Sequence, residues 1–345
     1  MESSTAQGHR FIEDKNGDSG RGVGMLPLNA VRGKRWSTAT AYLADVDRAP
    51  LTIRGGVVVR RVLFNGTRAV GVEIDEDGTI RREYADEVVV GAGAIETPHL
   101  LMRSGVGAAR DLGTPWLADL PGVGRGLSDH PAVMIDWMPR DAAVNPRSPT
   151  SWTAALNFSA PGGSERGDLE LLLAVMPNSH IVSGEFAHGP IGLLVALQLP
   201  ESRGIVHAED ESIAVEYDYL ASAHDRTRLR HSVREGLQLL SSPPFVTVTA
   251  EINAPVADLL ESDAFADDWI RARLGASLHA SGTARMGFAD DPLAVTDVHG
   301  RVHGLERLRI IDTSLLPAVP SRGTAATAVL LGERLAELWL SEARD

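Results

Sequence analysis

The chain contains no cysteine, which removes disulfides, thiolate nucleophiles and sulfur-ligated metals at once. That absence fits a reducing compartment, and a cytoplasmic location is the expectation. Lysine is nearly missing as well: of 33 basic residues only Lys15 and Lys34 are lysines, a feature of composition rather than of chemistry. Against these stand 46 acidic residues and a formal net charge of −13. A surface of that sign repels nucleic acid and anionic lipid, so neither is expected as a partner. The longest apolar runs, such as 191–199, fall well short of a membrane span, and the polar first twenty residues lack the apolar core of a signal peptide. No GxSxG elbow and no Walker lysine loop is present, so triad-hydrolase and P-loop chemistry have no support.

What is present suffices for one large or two ordinary domains: 345 residues, 43% of them hydrophobic. Val57–Phe64 and Ala69–Ile74 flank the turn dipeptide Asn65-Gly66, and Thr79–Tyr84 follows the turn at Asp75–Gly78, which predicts an antiparallel meander, with Thr52–Ile53 strand-like before it. Glu87–Val90 reads as a short buried strand running into Gly91-Ala92-Gly93, then a helix with Thr97 as N-cap, Pro98 in its first turn and Gly105 at its end. After Pro131 the composition changes. Strand-like segments at 132–138, 152–158, 169–176 and 191–199 alternate with Pro/Gly/Ser loops, a helix at 224–241 follows, and Ser262 can cap another at 263–274. A short strand at Leu308–Ile311 and an amphipathic helix near Thr324–Leu340 close the chain.

Three stretches could carry chemistry. In the glycine run Gly91–Gly107, small residues between a buried strand and a helix N-terminus let backbone N–H groups approach an anion such as a diphosphate. The second, Leu278–Gly287 (LHASGTARMG), contains His279. The third runs from Asp297 to Glu333 and holds Asp312-Thr313-Ser314, Pro317 and the loop before the last helix. His299 and His303 lie four apart, but Gly300 and Gly304 put them on a turn, and no metal is expected.

All three stretches resemble those of the glucose-methanol-choline (GMC) flavoprotein oxidoreductases. From Gly93 the chain reads Gly-Ala-x-x-Thr-Pro-x-Leu-Leu-x-x-Ser-Gly-Val-Gly, similar to that family's second signature; His279-x-x-Gly-Thr-x-x-Met-Gly and the Asp-x-Ser stretch match it too, and the likeness spans 11–342. The resemblance implies an α/β plus α+β fold: an incomplete FAD-binding Rossmann-like domain made of 1–131 and 276–345, with an antiparallel-sheet substrate domain at 132–275. It implies FAD as cofactor and an alcohol as substrate, with His279 accepting the hydroxyl proton while the hydride passes to the flavin. An imidazole titrating near neutrality suits that task. By the same comparison Gly91, Ala92, Gly93, Asp312 and Thr313 lie along the ribityl and diphosphate portion, Thr324 and Ala325 beneath the flavin ring, and Val59 at the adenine end. The resemblance does not name the electron acceptor. The stretch SRGTAATAVLLGE more loosely resembles a bacterial branch associated with the redox cofactor mycofactocin.

Two departures stand out. Many family members place a second histidine or an asparagine in the last loop; counted from Pro317 that position is Ala325, which cannot hydrogen-bond a hydroxyl, so that Arg322 or Thr324 substitutes after a small shift, the substrate is held differently, or activity is compromised. The family also opens with a βαβ unit bearing GxGxxG, whereas Gly20-x-Gly22-x-Gly24 and Gly122-x-Gly124-x-Gly126 have the wrong spacing and follow no apolar strand. The expectation is therefore a chain whose strand at 87–90 lacks a neighbour and whose activity depends on a complementing N-terminal polypeptide, as in a truncated or split enzyme or one with a misassigned start. Two alternatives stand beside it: a flavin-retaining hydroxynitrile lyase of the same superfamily, and a non-enzymatic degenerate fragment or subunit.

Overall fold

The computed structural model describes residues 1–17, 20–46, 50–112, 116–140, 150–164, 166–178, 189–209 and 212–342. The chain divides into two compact units, one of Met1–Ser37, His130–Glu201 and Leu220–Ser277, the other of Thr38–Asp129, Ser202–Tyr219 and Leu278–Asp345. Two of the chain crossings lie close to the boundaries expected at 131 and 275. Met1–Ser37 and Ser202–Tyr219, however, fall on the opposite side from the one expected. The cause is long-range pairing by short strands: Gly22–Met25 adds to the strand Trp152–Phe158, and Gly204–Glu209 pairs with Arg125–Leu127.

The first unit is built on an antiparallel sheet in the order Gly22–Met25, Trp152–Phe158, Leu169–Pro177, Ile191–Leu197, Pro131–Pro139, Thr249–Ile252, with Gly275–Ala276 also on Pro131–Pro139. Side chains alternate between faces, and one buried row, Val23, Leu156, Leu171, Val195 and Val133, crosses five strands in register. A slip of one residue would turn that row to the other face, so apolar burial sets the register. The helix Ala223–Leu240 covers this face so closely that a Cβ on Gly236 would stand 3.2 Å from Ile135 and 3.3 Å from Leu193. Ser222 caps that helix through His224 N–H, and Ser262 caps Asp263–Arg271 through Phe265 N–H, the latter as expected.

In the second unit the meander forms as Val57–Asn65, Arg68–Glu76 and Thr79–Tyr84. Residues 52–53, between Pro50 and Gly55-Gly56, make no strand. Val88–Val90 pairs in parallel with Leu308–Ile310, and the helix Gly93–Arg103 follows. Ala92, not Thr97, occupies its N-cap, and Pro98 sits inside it rather than in its first turn. Gly105 stands just past the end with φ 80°, as a terminating glycine should. Val62, Val90, Leu101, Val106, Leu308, Ile310 and Leu315 share one buried core. The last helix, Ala325–Glu342, buries only Leu335, while Leu330 and Leu340 are 65% and 62% exposed. No helix among the described residues is long and apolar enough to cross a membrane.

Candidate functional site

The stretch after His279 has almost no bulk: Ala280, Ser281, Gly282, Thr283 and Ala284. Small side chains let it thread between two backbones of the second unit. On one side Ser281 and Ser128 exchange two backbone hydrogen bonds of 2.9 Å each. On the other, the N–H groups of Gly282, Ala284 and Met286 donate to the carbonyls of Thr313, Ser314 and Leu315 at 3.1, 2.9 and 2.8 Å, and the Thr313 hydroxyl donates to Ala280 O at 3.0 Å. Ser281, Thr283 and Ala284 are fully buried in this lane.

His279 stands at its head. Its N–H donates to Asp129 Oδ1 at 2.9 Å, and its carbonyl accepts the Ser281 hydroxyl at 3.0 Å. The imidazole faces the loop that leads into the last helix: a Cβ placed on Gly323 would lie 3.4 Å from Nε2. Thus the loop approaches His279 closely with backbone at Gly323. Thr324 follows it, and Ala325 is the exposed first residue of the helix.

The helix Gly93–Arg103 is tied to the histidine lane through its proline. Pro98 has no N–H, so the Ala94 carbonyl four residues back loses its helical donor. The Thr283 hydroxyl supplies the missing hydrogen bond at 2.6 Å. At the helix N-terminus Asp312 collects three donors: Gly93 N–H at 2.9 Å and the Thr97 hydroxyl at 2.6 Å on Oδ2, and Ser314 N–H at 2.8 Å on Oδ1. A carboxylate is favoured there by the helix dipole. This changes the reading of the glycine run, because the Gly93 N–H expected to meet a diphosphate is already bonded to Asp312. Gly91 and Ala92 are exposed, and no atom lies within 4 Å of where a Gly93 side chain would stand, so the turn leaves a shallow open cradle.

Of the residues singled out from sequence, Gly93, Asp312, Thr313 and His279 are joined by this network, and Gly91 and Ala92 lead directly into it. Val59 lies elsewhere in the same unit, on the meander strand Val57–Asn65 opposite Ile74, with 42% of its surface exposed. His299 contacts Glu342 at 2.7 Å and His303 meets Gly287 O at 3.2 Å, so the two imidazoles have different partners. Among the described residues no group of three or more potential ligands could hold a metal. Asp129, Thr283 and Gly323 escaped the sequence reading. An aspartate after a glycine cluster reads as a turn, and a freed carbonyl is invisible unless the proline is placed inside the helix.

Sequence models of the GMC oxidoreductase N-terminal and C-terminal regions match residues 1–132 and 200–332, together most of the chain. An uncharacterised GMC-type oxidoreductase from the thcA 5′ region of Rhodococcus erythropolis is 39% identical over 342 residues, covering 95% of this chain and 65% of that protein. Mouse mitochondrial choline dehydrogenase is 30% identical over 382 residues, with 98% and 62% covered. Among solved structures, pyridoxine 4-oxidase from Mesorbium loti superimposes with a TM-score of 0.87 at 26% identity over 99% of this chain and 68% of that one. The chain thus spans less than two thirds of these two curated relatives. The matching regions, the curated relatives and the shared fold place it in the glucose-methanol-choline oxidoreductase family.

Proposed function

We propose that the chain carries the proton-accepting part of a FAD-dependent alcohol oxidoreductase. The observation that carries this reading is the convergence, within one unit, of the His279 imidazole on the Gly323 backbone and of the same histidine lane on the Gly91–Gly93 cradle. The names of the relatives, a choline dehydrogenase and a pyridoxine 4-oxidase among them, support an alcohol as the substrate class.

The residues fit the cofactor unevenly, and the unevenness is informative. Asp312 is an acceptor, so it and the open turn suit the hydroxyls of a ribityl chain better than a diphosphate, which would be repelled by a carboxylate. Thr313 would lie with Asp312 along that portion, Thr324 and Ala325 on the approach to the ring, and Val59 at the adenine end. The donors for the diphosphate come from a complementing βαβ segment, on the same polypeptide or another. Two features support that partner. Val88–Val90 and Leu308–Ile310 form a parallel sheet of only two strands, with Val89 40% exposed, where parallel strands are ordinarily covered on both faces. The last helix leaves an apolar groove of about 520 Å³ beside Tyr42, Ala328 and Val329.

Bound there, the flavin supplies the acceptor for the hydride leaving the α-carbon. His279, neutral, accepts the hydroxyl proton as the C–H bond breaks, and its fixed backbone limits the imidazole to rotation of its own side chain. The reading is tested by adding an alcohol, without oxygen, to the chain loaded with FAD alongside a GxGxxG-bearing βαβ segment. Bleaching of the flavin band supports it. A flavin that no alcohol bleaches while a cyanohydrin is cleaved would replace oxidation by lyase chemistry.

A further inference from the structure

The groups around His279 include one whose purpose the proton transfer does not explain. The Tyr219 hydroxyl is buried and makes no hydrogen bond of good geometry among the described residues, with the Asp129 carboxylate as its charged neighbour. Burial first, and then the charge of the neighbouring Asp129, raise its pKa far above the ordinary phenol value, so it stays neutral at every working pH. Its ring stacks on Tyr217 with centroids 4.7 Å apart and planes inclined by 23°.

The backbone around these residues is held against its preference. Asp218 and Leu220, on either side of Tyr219, have φ of 49° and 62°, and Leu278, directly before His279, has φ of 63°. Each such left-handed residue costs about 1 kcal/mol or more and persists only where its surroundings dictate it. Three of the six non-glycine residues in this conformation among those described therefore flank Tyr219 and His279. Asp129, 1% exposed, accepts the His279 N–H on Oδ1 at 2.9 Å and is the charged neighbour of Tyr219.

We propose that Asp129 and Tyr219 are a positioning pair for His279: the carboxylate fixes the histidine backbone, and the stacked tyrosine covers the carboxylate so that water does not compete for it. Neither touches the substrate. The proposal rests on the alcohol-oxidation reading for its consequence but not for its geometry, and it is tested on both.

In the FAD-loaded enzyme, Asp129→Ala is expected to slow flavin reduction by alcohol about 100-fold while KM stays within about threefold, as displacement of a proton acceptor does. Asp129→Asn, which keeps an oxygen for the His279 N–H, should restore the rate to within about tenfold of the parent, and Tyr219→Ala, which removes the covering ring, should cost about fivefold. An Asp129→Ala enzyme reduced at the parent rate would overturn the proposal, as would a loss confined to KM. Amide hydrogen exchange supplies an activity-independent reading on the chain itself. The His279 N–H should exchange slowly in the parent and in Asp129→Asn, and at least about tenfold faster in Asp129→Ala. Unchanged exchange overturns the pair whether or not any alcohol is oxidised; a parent that oxidises none refutes only the functional reading. Should Asp129→Ala not fold, Tyr219→Ala decides, because it removes the covering ring, and parental rate together with parental His279 exchange in that variant sinks the proposal.

Discussion

His279 owes its chemistry to its side chain and its place to its backbone. Replacing it with alanine should leave the hydrogen bonds of 281–286 intact, so the flavin is retained while its reduction by alcohol falls about 100- to 10,000-fold, the usual worth of a positioned proton acceptor. Single-turnover flavin bleaching measures this. A second outcome concerns Pro98. Because Thr283 replaces the hydrogen bond that Pro98 cannot give to Ala94, Thr283→Val should cost about 1–3 kcal/mol in the parent and less in a Pro98→Ala background, where residue 98 has its own N–H. Denaturant melts of the four proteins close that cycle, and equal losses in both backgrounds would disprove the link. At this scale the sequence was uneven to read. The histidine was legible because its whole stretch is distinctive. Gly323 was not: the count that falls on Ala325 concerns a side chain, while the loop's approach to the imidazole at Gly323 is made by backbone. Asp129 was passed over because what it does is fixed by a residue 150 positions away.

Among the elements, those with their own periodicity were the easiest to foresee. The meander, the four central strands of the first unit and the capped helices form close to where alternation and turn residues put them. Gly22–Met25 and Gly204–Glu209, too short to show a period, were missed because pairing alone makes them strands. The glycine cluster at 122–126, rejected as a nucleotide loop, has a structural role: Gly124 has φ 80°, donates to Thr283 O at 2.7 Å, and leaves no room for a Cβ, which would stand 2.1 Å from Val206 O. Gly124→Ala should therefore lose roughly 3 kcal/mol or more in a denaturant titration, and the histidine lane with it. The end of the last helix adds a pH dependence. Arg309 sits between Glu87 and Glu342 at 2.6 and 2.8 Å, and its hydrogen bond holds the Glu342 carboxyl below the ordinary value. A carboxyl depressed by folding stabilises above its unfolded pKa and loses that contribution as pH falls through its folded one. Glu342→Gln should accordingly melt lower than the parent at pH 7, and the gap should close in acid.

Taken whole, the chain folds two units, each with its own buried residues, yet leaves Val89, Leu330 and Leu340 in water. Apolar surface of this kind on a parallel strand and a long helix is where the proposed βαβ segment would dock. The lack of a GxGxxG motif raises the same expectation from the sequence, whereas which faces stay uncovered depends on the packing. The central claim is that this chain supplies the base and part of the cradle, with the diphosphate held by a βαβ segment. Its most direct test is flavin titration of the chain with and without that segment, followed by anaerobic addition of an alcohol. The account predicts weak flavin retention by the chain alone, stoichiometric retention with the segment, and bleaching that His279→Ala abolishes. Tight, stoichiometric flavin binding by the chain alone, or bleaching that survives His279→Ala, would contradict it.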